Sequence, residues 1–388
     1  MKILAVTERL DDIPRNGSEV MCERLLRRLR NSHDVETLAC TNSAHSLEKV
    51  TFRLDEETRA NPRKYADLLA SIEVRRYDLV YNLGGLMFGC DAVVELEPWK
   101  AGVPLVNHFQ ALLGPYARAE RRPIDLAVQY ATSQITAAAY GNCNIFISLA
   151  EYQAAVDFGY DLSCGVSCVV PNALPADDFA EIVPSTRFLP YDSRASGSRP
   201  IVFMTGGRFS DYAKGADLVY RAFAKLFEQR QDVFLLAVVN SERFTHILRD
   251  LPQTSYSIVP WMHRAEFLAT MATADVLVVP SRYEPFGLIA LESALLSVPV
   301  IANAVGGLTD IVLHEQSGFL VPPADGSLGL FAAMRRMAES NERIRMGQRG
   351  RERAEREFSL HRVHELIEQS FSRVRLTAKS RRRPTPFS

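Results

Sequence analysis

The sequence has no long apolar run, no excess of charge of either sign and few cysteines. No stretch approaches the roughly 20 apolar residues that a membrane-spanning helix needs. The 388 residues include 45 Lys and Arg against 46 Asp and Glu, which gives a formal net charge of −1. Without a global positive field the chain is not expected to bind nucleic acid, so recognition must come from local groups.

The cysteine content argues against a disulfide framework and a metal site. The six cysteines are spread through a long chain that is not expected to carry a signal peptide. Cys164 and Cys168 lie close together, but no second pair or nearby histidine supplies the other zinc ligands. We therefore expect free thiols, no metal or other cofactor, and a cytoplasmic location. No internal repeat is evident, and no G-x-G-x-x-G follows the first strand, which disfavours a nicotinamide enzyme.

Short apolar runs alternate with helix-period segments along the chain, a pattern typical of α/β folds with parallel sheets. The predicted strands are residues 2–7, 35–40, 78–83, 104–109, 144–149 and 167–172 in the first half, and 201–206, 233–239, 256–259, 275–281 and 298–303 in the second. The segment 184–200 between the halves is rich in Pro, Ser and Arg and reads as a linker. The pattern predicts two Rossmann-like domains that face each other across a cleft, with ligands at the carboxyl ends of the strands.

The expected boundaries follow from these segments. Residues 1–183 form the first domain and residues 201–358 form the second. A C-terminal helix over 359–378 is expected to return to the first domain. The basic tail 379–388 is expected to be a solvated end.

The strongest local motif is E-P-F-G-L-I-A-L-E from Glu284 to Glu292. A strand, a turn and the start of a helix follow one another here, and the backbone N–H groups of Phe286, Gly287 and Leu288 have no intrahelical acceptor. Together with the helix dipole they favour a phosphate. An ordinary strand–turn–helix with surface glutamates is the alternative.

A second motif lies around Arg208 and Lys214, which flank a short polar loop after a strand that ends in two glycines. Two cations beside a glycine-rich strand end suit a diphosphate. Fixed cations lower the barrier when a leaving group develops negative charge. Two solvated loop cations are the alternative.

These residues resemble the retaining glycosyltransferases of the GT4 type, which have the GT-B fold. The stretch from Glu284 to Glu292 is similar to that family's E-x7-E signature, and the segment G-R-F-x4-K-G around Arg208 and Lys214 is similar to its diphosphate clamp. The segments 169–179, 303–312 and 317–325 also resemble the family. The similarity covers nearly all of the second domain and is patchy in the first.

The resemblance implies a role for each matching residue. Glu284 would contact the donor sugar, the N–H groups of residues 286–288 would contact the sugar or its phosphates, and Glu292 would hold the ribose. Arg208 and Lys214 would neutralise the diphosphate. The backbone of Met262 would meet the base, while the neighbouring Trp261 could be a core residue.

The first domain offers two further candidates. Gly17 lies in a loop after the first strand that resembles a short form of the family's phosphate-facing G-G loop, with Ser18 in place of the second glycine. His108 closes the fourth predicted strand, where the family often has a histidine near the donor sugar and acceptor. A structural histidine is the alternative.

The resemblance implies a metal-independent transferase that moves a hexosyl or N-acetylhexosaminyl group from a nucleotide sugar, most commonly linked to UDP, to a hydroxyl group. The acceptor could be a small molecule, a natural product, a glycan or a lipid-linked sugar. A nucleotide-sugar epimerase and a catalytically silent donor-binding protein are the alternatives. The basic helix over residues 19–31 leaves a weak peripheral membrane contact open.

Overall fold

The computed structural model describes residues 1–10, 17–41, 50–84, 87–189 and 199–381. The chain divides into two compact units, the first formed by Met1–Ala173 with Leu360–Ser388 and the second by Leu174–Ser359. The division falls before the linker that the sequence suggests at 184–200, most of which lies outside the described residues. No described helix combines the length and apolar character needed to cross a bilayer.

The first unit is built on a seven-stranded parallel sheet with the order β3-β2-β1-β4-β5-β6-β7. Its strands are β1 (Lys2–Arg9), β2 (Asp34–Cys40), β3 (Phe52–Leu54), β4 (Leu79–Gly84), β5 (Leu105–Phe109), β6 (Cys143–Phe146) and β7 (Val166–Val169). Its helices are α1 (Gly17–Arg30), α2 (Glu56–Ala60), α3 (Pro62–Ala70), α4 (Met87–Leu96), α5 (Leu113–Ala119), α6 (Ile124–Tyr140) and α7 (Leu149–Phe158). Strands β4, β5 and β6 are buried along their whole length, as expected for a parallel sheet that is covered on both faces.

The second unit is built on a six-stranded parallel sheet with the order β10-β9-β8-β11-β12-β13. Its strands are β8 (Ile201–Gly207), β9 (Val233–Val239), β10 (Tyr256–Pro260), β11 (Val276–Val279), β12 (Val300–Asn303) and β13 (Gly318–Val321). Its helices are α8 (Asp177–Ala180), α9 (Ala216–Gln229), α10 (Arg264–Met271), α11 (Leu288–Leu295), α12 (Leu308–Ile311), α13 (Gly326–Glu339) and α14 (Arg343–Glu357). The order 3-2-1-4-5-6 is that of the Rossmann fold. The predicted architecture of two parallel-sheet α/β domains is therefore confirmed.

The last helix, α15 (Leu360–Arg381), belongs to the first unit. Val363, Ile367, Phe371 and Val374 recur every three or four residues, and all four are buried in the core that α1 and β1 share. This spacing places them on one face of the helix. The predicted return of the C-terminal helix to the first domain is confirmed, whereas residues 382–388 of the basic tail lie outside the described part of the chain.

The basic face of α1 is partly engaged by neighbouring groups. Arg28 Nη2 lies 3.0 Å from His361 Nδ1 on α15, and Arg30 Nη2 donates to Thr37 Oγ1 at 2.9 Å. These contacts give the arginines structural partners within the first unit, and the weak membrane contact stays a prediction.

Candidate functional site

The candidate site lies where the strand order of the second sheet reverses. From β8 the chain continues to β9 and β10 on one side, and from the neighbouring strand β11 it continues to β12 and β13 on the other. The loops after β8 and β11 therefore start side by side at the carboxyl edge, which is the usual ligand position in such sheets. Arg208 and Lys214 follow β8, and Ser281 and Glu284 follow β11.

A close backbone approach holds the two loops together. Gly215 caps α9 with φ +70°, and a Cβ at this position would lie 2.1 Å from the carbonyl oxygen of Pro280. The backbone N–H of Arg282 donates to the carbonyl of Ala213 at 2.7 Å. Only glycine fits this approach and this backbone conformation without strain. This explains why a glycine follows Lys214.

Arg282 reinforces the junction with its side chain. Its guanidinium donates two hydrogen bonds to the Asp217 carboxylate, at 2.8 and 2.7 Å, and lies 4.0 Å from the centre of the Tyr212 ring. Burial raises the pKa of Asp217, but the hydrogen bond and charge of Arg282 outweigh it, so that the pKa lies below its usual value. Neither Arg282 nor Asp217 was singled out in the sequence, because a surface Arg and Asp 65 residues apart carry no local signal.

The loops bring Lys214 and Glu284 into direct contact. Lys214 Nζ donates to Glu284 Oε2 at 2.7 Å, and Ser281 Oγ donates to the same oxygen at 3.2 Å. The two side chains are only 18% and 13% exposed. A cation and a carboxylate held together at a sheet's carboxyl edge can bind the two parts of a sugar phosphate, the cation facing phosphate and the carboxylate facing hydroxyl groups.

Two further glycines support the backbone of Glu284. A Cβ on Gly306, whose φ is +53°, would lie 1.7 Å from the Glu284 carbonyl oxygen. That oxygen also accepts a hydrogen bond from the N–H of Gly307 at 3.1 Å. The segment 303–312, which the sequence connected only to a family resemblance, thus shapes the turn that carries Glu284.

Helix α11 begins directly after this turn and spans eight residues. Gly287 is its N-cap with φ +101°, and no side chain caps the helix. Phe286 is buried with its ring edge-on to Phe358, the two ring centres being 5.8 Å apart. The first N–H groups of α11, beginning at Leu288, have no partner within the helix, so this end can attract an anion.

Glu292 lies within α11 and is 5% exposed. It forms an ion pair with Arg264, the first residue of α10. Burial raises the pKa of Glu292, and the charge and hydrogen bond of Arg264 oppose that rise without cancelling it. Arg264 was not predicted from the sequence.

The turn before α10 contains the predicted base position. Met262 is half-buried, and its sulfur lies 3.8 Å from Thr270 Oγ1. Trp261 is 51% exposed and stacks on Phe267 with ring centres 6.0 Å apart. The reading of Trp261 as a core residue is therefore wrong.

Arg208 stays apart from the Lys214–Glu284 pair. Its side chain is 63% exposed, and its Nε lies 3.5 Å from Asp211 Oδ2. Backbone hydrogen bonds join Asp211 to Arg208 at 2.9 Å and Lys214 to Asp211 at 3.1 Å, so both cations lie on one tight loop. The contact of Arg208 with a diphosphate stays a prediction.

The two candidates of the first unit are placed differently from the second-unit residues. Gly17 is the first residue of α1, and the preceding residues 11–16 of the predicted loop lie outside the described part. His108 is fully buried, and Tyr81 Oη lies 2.7 Å from its Nδ1. Burial lowers the pKa of His108 to about 3, so the ring is neutral. The ring has no exposed surface in this structure, and the predicted role of His108 beside the donor sugar and acceptor stays a prediction.

Among the described residues, no group of three or more His, Cys, Asp or Glu could hold a metal ion. The six cysteines, all within the described ranges, are free thiols.

Residues 192–353 match the family model described as glycosyl transferases group 1. An uncharacterised glycosyltransferase of Methanocaldococcus jannaschii is 35% identical over 121 residues, which is 29% of this chain and 30% of that protein. The chain spans about a third of the length of the curated relatives that it matches. The family match lies within the second unit, which contains Arg208, Lys214, Glu284 and Glu292.

Solved structures match nearly the whole chain at low identity. Sucrose-phosphate synthase from Thermosynechococcus elongatus gives a TM-score of 0.74 at 20% identity and covers 97% of this chain and 99% of that one. HepE of Anabaena, in complex with UDP and glucose, gives a TM-score of 0.75 at 17% identity. This match covers 96% of this chain and 100% of that one. These similarities show that the chain has the two-unit GT-B fold.

Proposed function

We propose that the protein is a retaining glycosyltransferase of the GT4 type. It transfers a hexosyl or N-acetylhexosaminyl group from a nucleotide sugar to a hydroxyl group of an acceptor. The observation that carries the proposal is the Lys214–Glu284 contact at the carboxyl edge of β8 and β11, held by Gly215 and Gly306. The family match over residues 192–353 supports it, because that range contains every donor-side residue of the second unit.

Each donor-side group has a defined task in this proposal. Lys214, Arg208 and the N-terminus of α11 neutralise the diphosphate, Glu284 accepts hydrogen bonds from the sugar hydroxyls, and Glu292 accepts those of the ribose. On transfer, the bond between the anomeric carbon and the phosphate oxygen breaks, and the acceptor oxygen bonds to that carbon on the same face. The departing phosphate takes the proton of the acceptor hydroxyl. Cations fixed beside the leaving group supply most of the rate enhancement, because they require no rearrangement as negative charge develops.

Uridine diphosphate is the proposed carrier. HepE, which has the same fold, is described with bound UDP and glucose. The half-buried Met262 lies on the turn that would meet the base. The reaction needs no metal in this proposal, and its location in the cytoplasm stays a prediction.

We expect the purified protein to release UDP from a UDP-hexose or a UDP-N-acetylhexosamine when an acceptor is added, with unchanged rate in EDTA. The cations of the protein then perform the neutralisation that a divalent metal would otherwise supply. The measurement is nucleotide release across a panel of UDP-, GDP- and ADP-sugars and hydroxyl acceptors, followed by NMR of the product anomer. Retention of configuration is expected.

Three outcomes would overturn this proposal. Inversion at the anomeric carbon would remove the retaining assignment. Conversion of the donor sugar without an acceptor would favour an epimerase. Tight UDP binding without turnover by any donor and acceptor would favour a silent donor-binding protein.

A further inference from the structure

Glu292 is a nearly buried carboxylate with one charged partner among the residues that the structure describes. Its side chain is 7% exposed and pairs with the guanidinium of Arg264. An ionised carboxylate that is taken out of water without a partner costs several kcal/mol and tends to be protonated instead. The protonation state and orientation of Glu292 therefore depend on Arg264.

The described elements around α11 supply no second cation for Glu292. Helix α14 meets α11 through Gly350, whose Cβ position would lie 3.7 Å from Ala294. The nearby Arg353 donates instead to the carbonyl oxygen of Asp310 on α12, at 2.7 Å. Strands β11 and β12, which also pack on α11, contain no titratable residue. Of the described groups, Arg264 alone acts electrostatically on Glu292.

Arg264 is also well placed beside the turn that would receive the base. It is the first residue of α10 and follows Trp261, Met262 and His263 directly. Its side chain is 34% exposed. A guanidinium has five N–H donors in a fixed plane, so it can hold Glu292 while a ligand lies against the same carboxylate.

We propose that Arg264 is a positioning residue of the donor site, which holds Glu292 as an oriented carboxylate so that it can accept hydrogen bonds from the ribose hydroxyls. The inference rests on the proposed function, since it assigns Glu292 to the donor ribose. A carboxylate accepts from two hydroxyls at once, whereas a protonated acid must give up part of that capacity. Without Arg264, burial drives Glu292 toward the protonated state, and its side chain loses the contact that fixes its direction.

The test compares Arg264→Ala with wild type by calorimetric titration of UDP and of 2′-deoxy-UDP at pH 6 and pH 8.5. Arg264→Ala is expected to weaken UDP binding about tenfold or more at pH 6. The loss should decrease as the pH rises from 6 to 8.5, because a higher pH favours the ionised form of Glu292, and it should be smaller for 2′-deoxy-UDP at both values. Arg264→Lys should restore most of the affinity at pH 6. Arg230→Ala, which removes a surface ion pair with Asp232, is the control and should leave both titrations unchanged.

The free protein gives a second measurement that does not depend on nucleotide. Loss of Arg264 raises the pKa of Glu292 further above its unfolded value. The variant therefore loses little stability at low pH, where the acid is protonated in both proteins, and more as pH rises and the buried carboxylate must ionise alone. Denaturant unfolding between pH 5 and pH 8.5 should show this widening difference. A constant difference would mean that Arg264 does not set the charge of Glu292.

The outcomes separate the two proposals. If wild type binds neither ligand, the proposed function fails, while the unfolding data still test the ion pair. If wild type binds UDP but Arg264→Ala weakens UDP and 2′-deoxy-UDP equally at both pH values, the positioning role is wrong and the donor site stands.

Discussion

Replacing Lys214 by alanine should slow sugar transfer by roughly 10²-fold or more, with a smaller effect on acceptor affinity. The substitution removes a cation 2.7 Å from Glu284 at the carboxyl edge of β8 and β11. In the proposed reaction this cation faces the departing diphosphate, whose negative charge grows as the glycosidic bond breaks. An interaction that strengthens in the transition state appears in kcat and in kcat/KM. Initial rates of UDP release with saturating donor measure the effect.

The control for this variant is Lys225→Ala in the same unit. Lys225 is an exposed lysine on α9 whose ammonium lies 5.2 Å from the centre of the Phe331 ring. The Lys225→Ala variant should transfer sugar at the wild-type rate. Thermal unfolding of both variants shows whether the fold is retained, because loss of Lys214 leaves the Glu284 carboxylate without its cation. Wild-type turnover by a folded Lys214→Ala protein would remove Lys214 from the mechanism.

Replacing Gly306 by alanine should destabilise the second unit by about 2 kcal/mol or more and abolish most activity. The added Cβ would lie 1.7 Å from the carbonyl oxygen of Glu284, so either the turn with Glu284 or the start of α12 must move. Since Glu284 and Lys214 share one contact, a displaced turn also separates this pair. Denaturant unfolding and UDP release measure the two effects.

Gly159→Ala is a control for this experiment. Gly159 caps α7 in the left-handed region, with φ +97° and ψ 28°, and nothing lies within 4 Å of its Cβ position. Its alanine variant should show only the cost of a left-handed backbone, roughly 1–2 kcal/mol, with activity retained. Equal losses of stability and activity in the two variants would mean that the contact with Glu284 is not what requires glycine at position 306.

Most strands of both sheets could be predicted, because buried parallel strands are short apolar runs that stand out between helical segments. Strand β9 has the predicted bounds, Val233–Val239. Two strands were missed for physical reasons. Strand β3 has only three residues, and β13 begins at Gly318, whose Cβ position would lie 2.0 Å from the carbonyl of Val300. A glycine that permits such close approach also weakens the apolar pattern.

The loops of the candidate site could be predicted from the sequence better than the residues that hold these loops and side chains in place. Lys214 and Glu284 stand out because each follows a strand and lies beside glycines. Arg264 carries no such signal, and Gly306 was noted only within a segment that resembles the family, because the roles of both residues depend on the partners that the fold brings to them. The burial of His108 could not be predicted from the sequence. A position at the end of a strand does not reveal whether the side chain turns toward solvent or into the core, and the structure places His108 in the core.

In the proposed function, the loops after β8 and β11 bind the diphosphate of a nucleotide sugar. A crystal structure of the protein with UDP would show whether they do. We expect the diphosphate within hydrogen-bonding distance of Lys214 Nζ and of the first backbone N–H groups of α11, with the ribose hydroxyls on Glu292. UDP bound elsewhere, with the Lys214–Glu284 contact intact and no ligand at the N-terminus of α11, would contradict this placement of the donor.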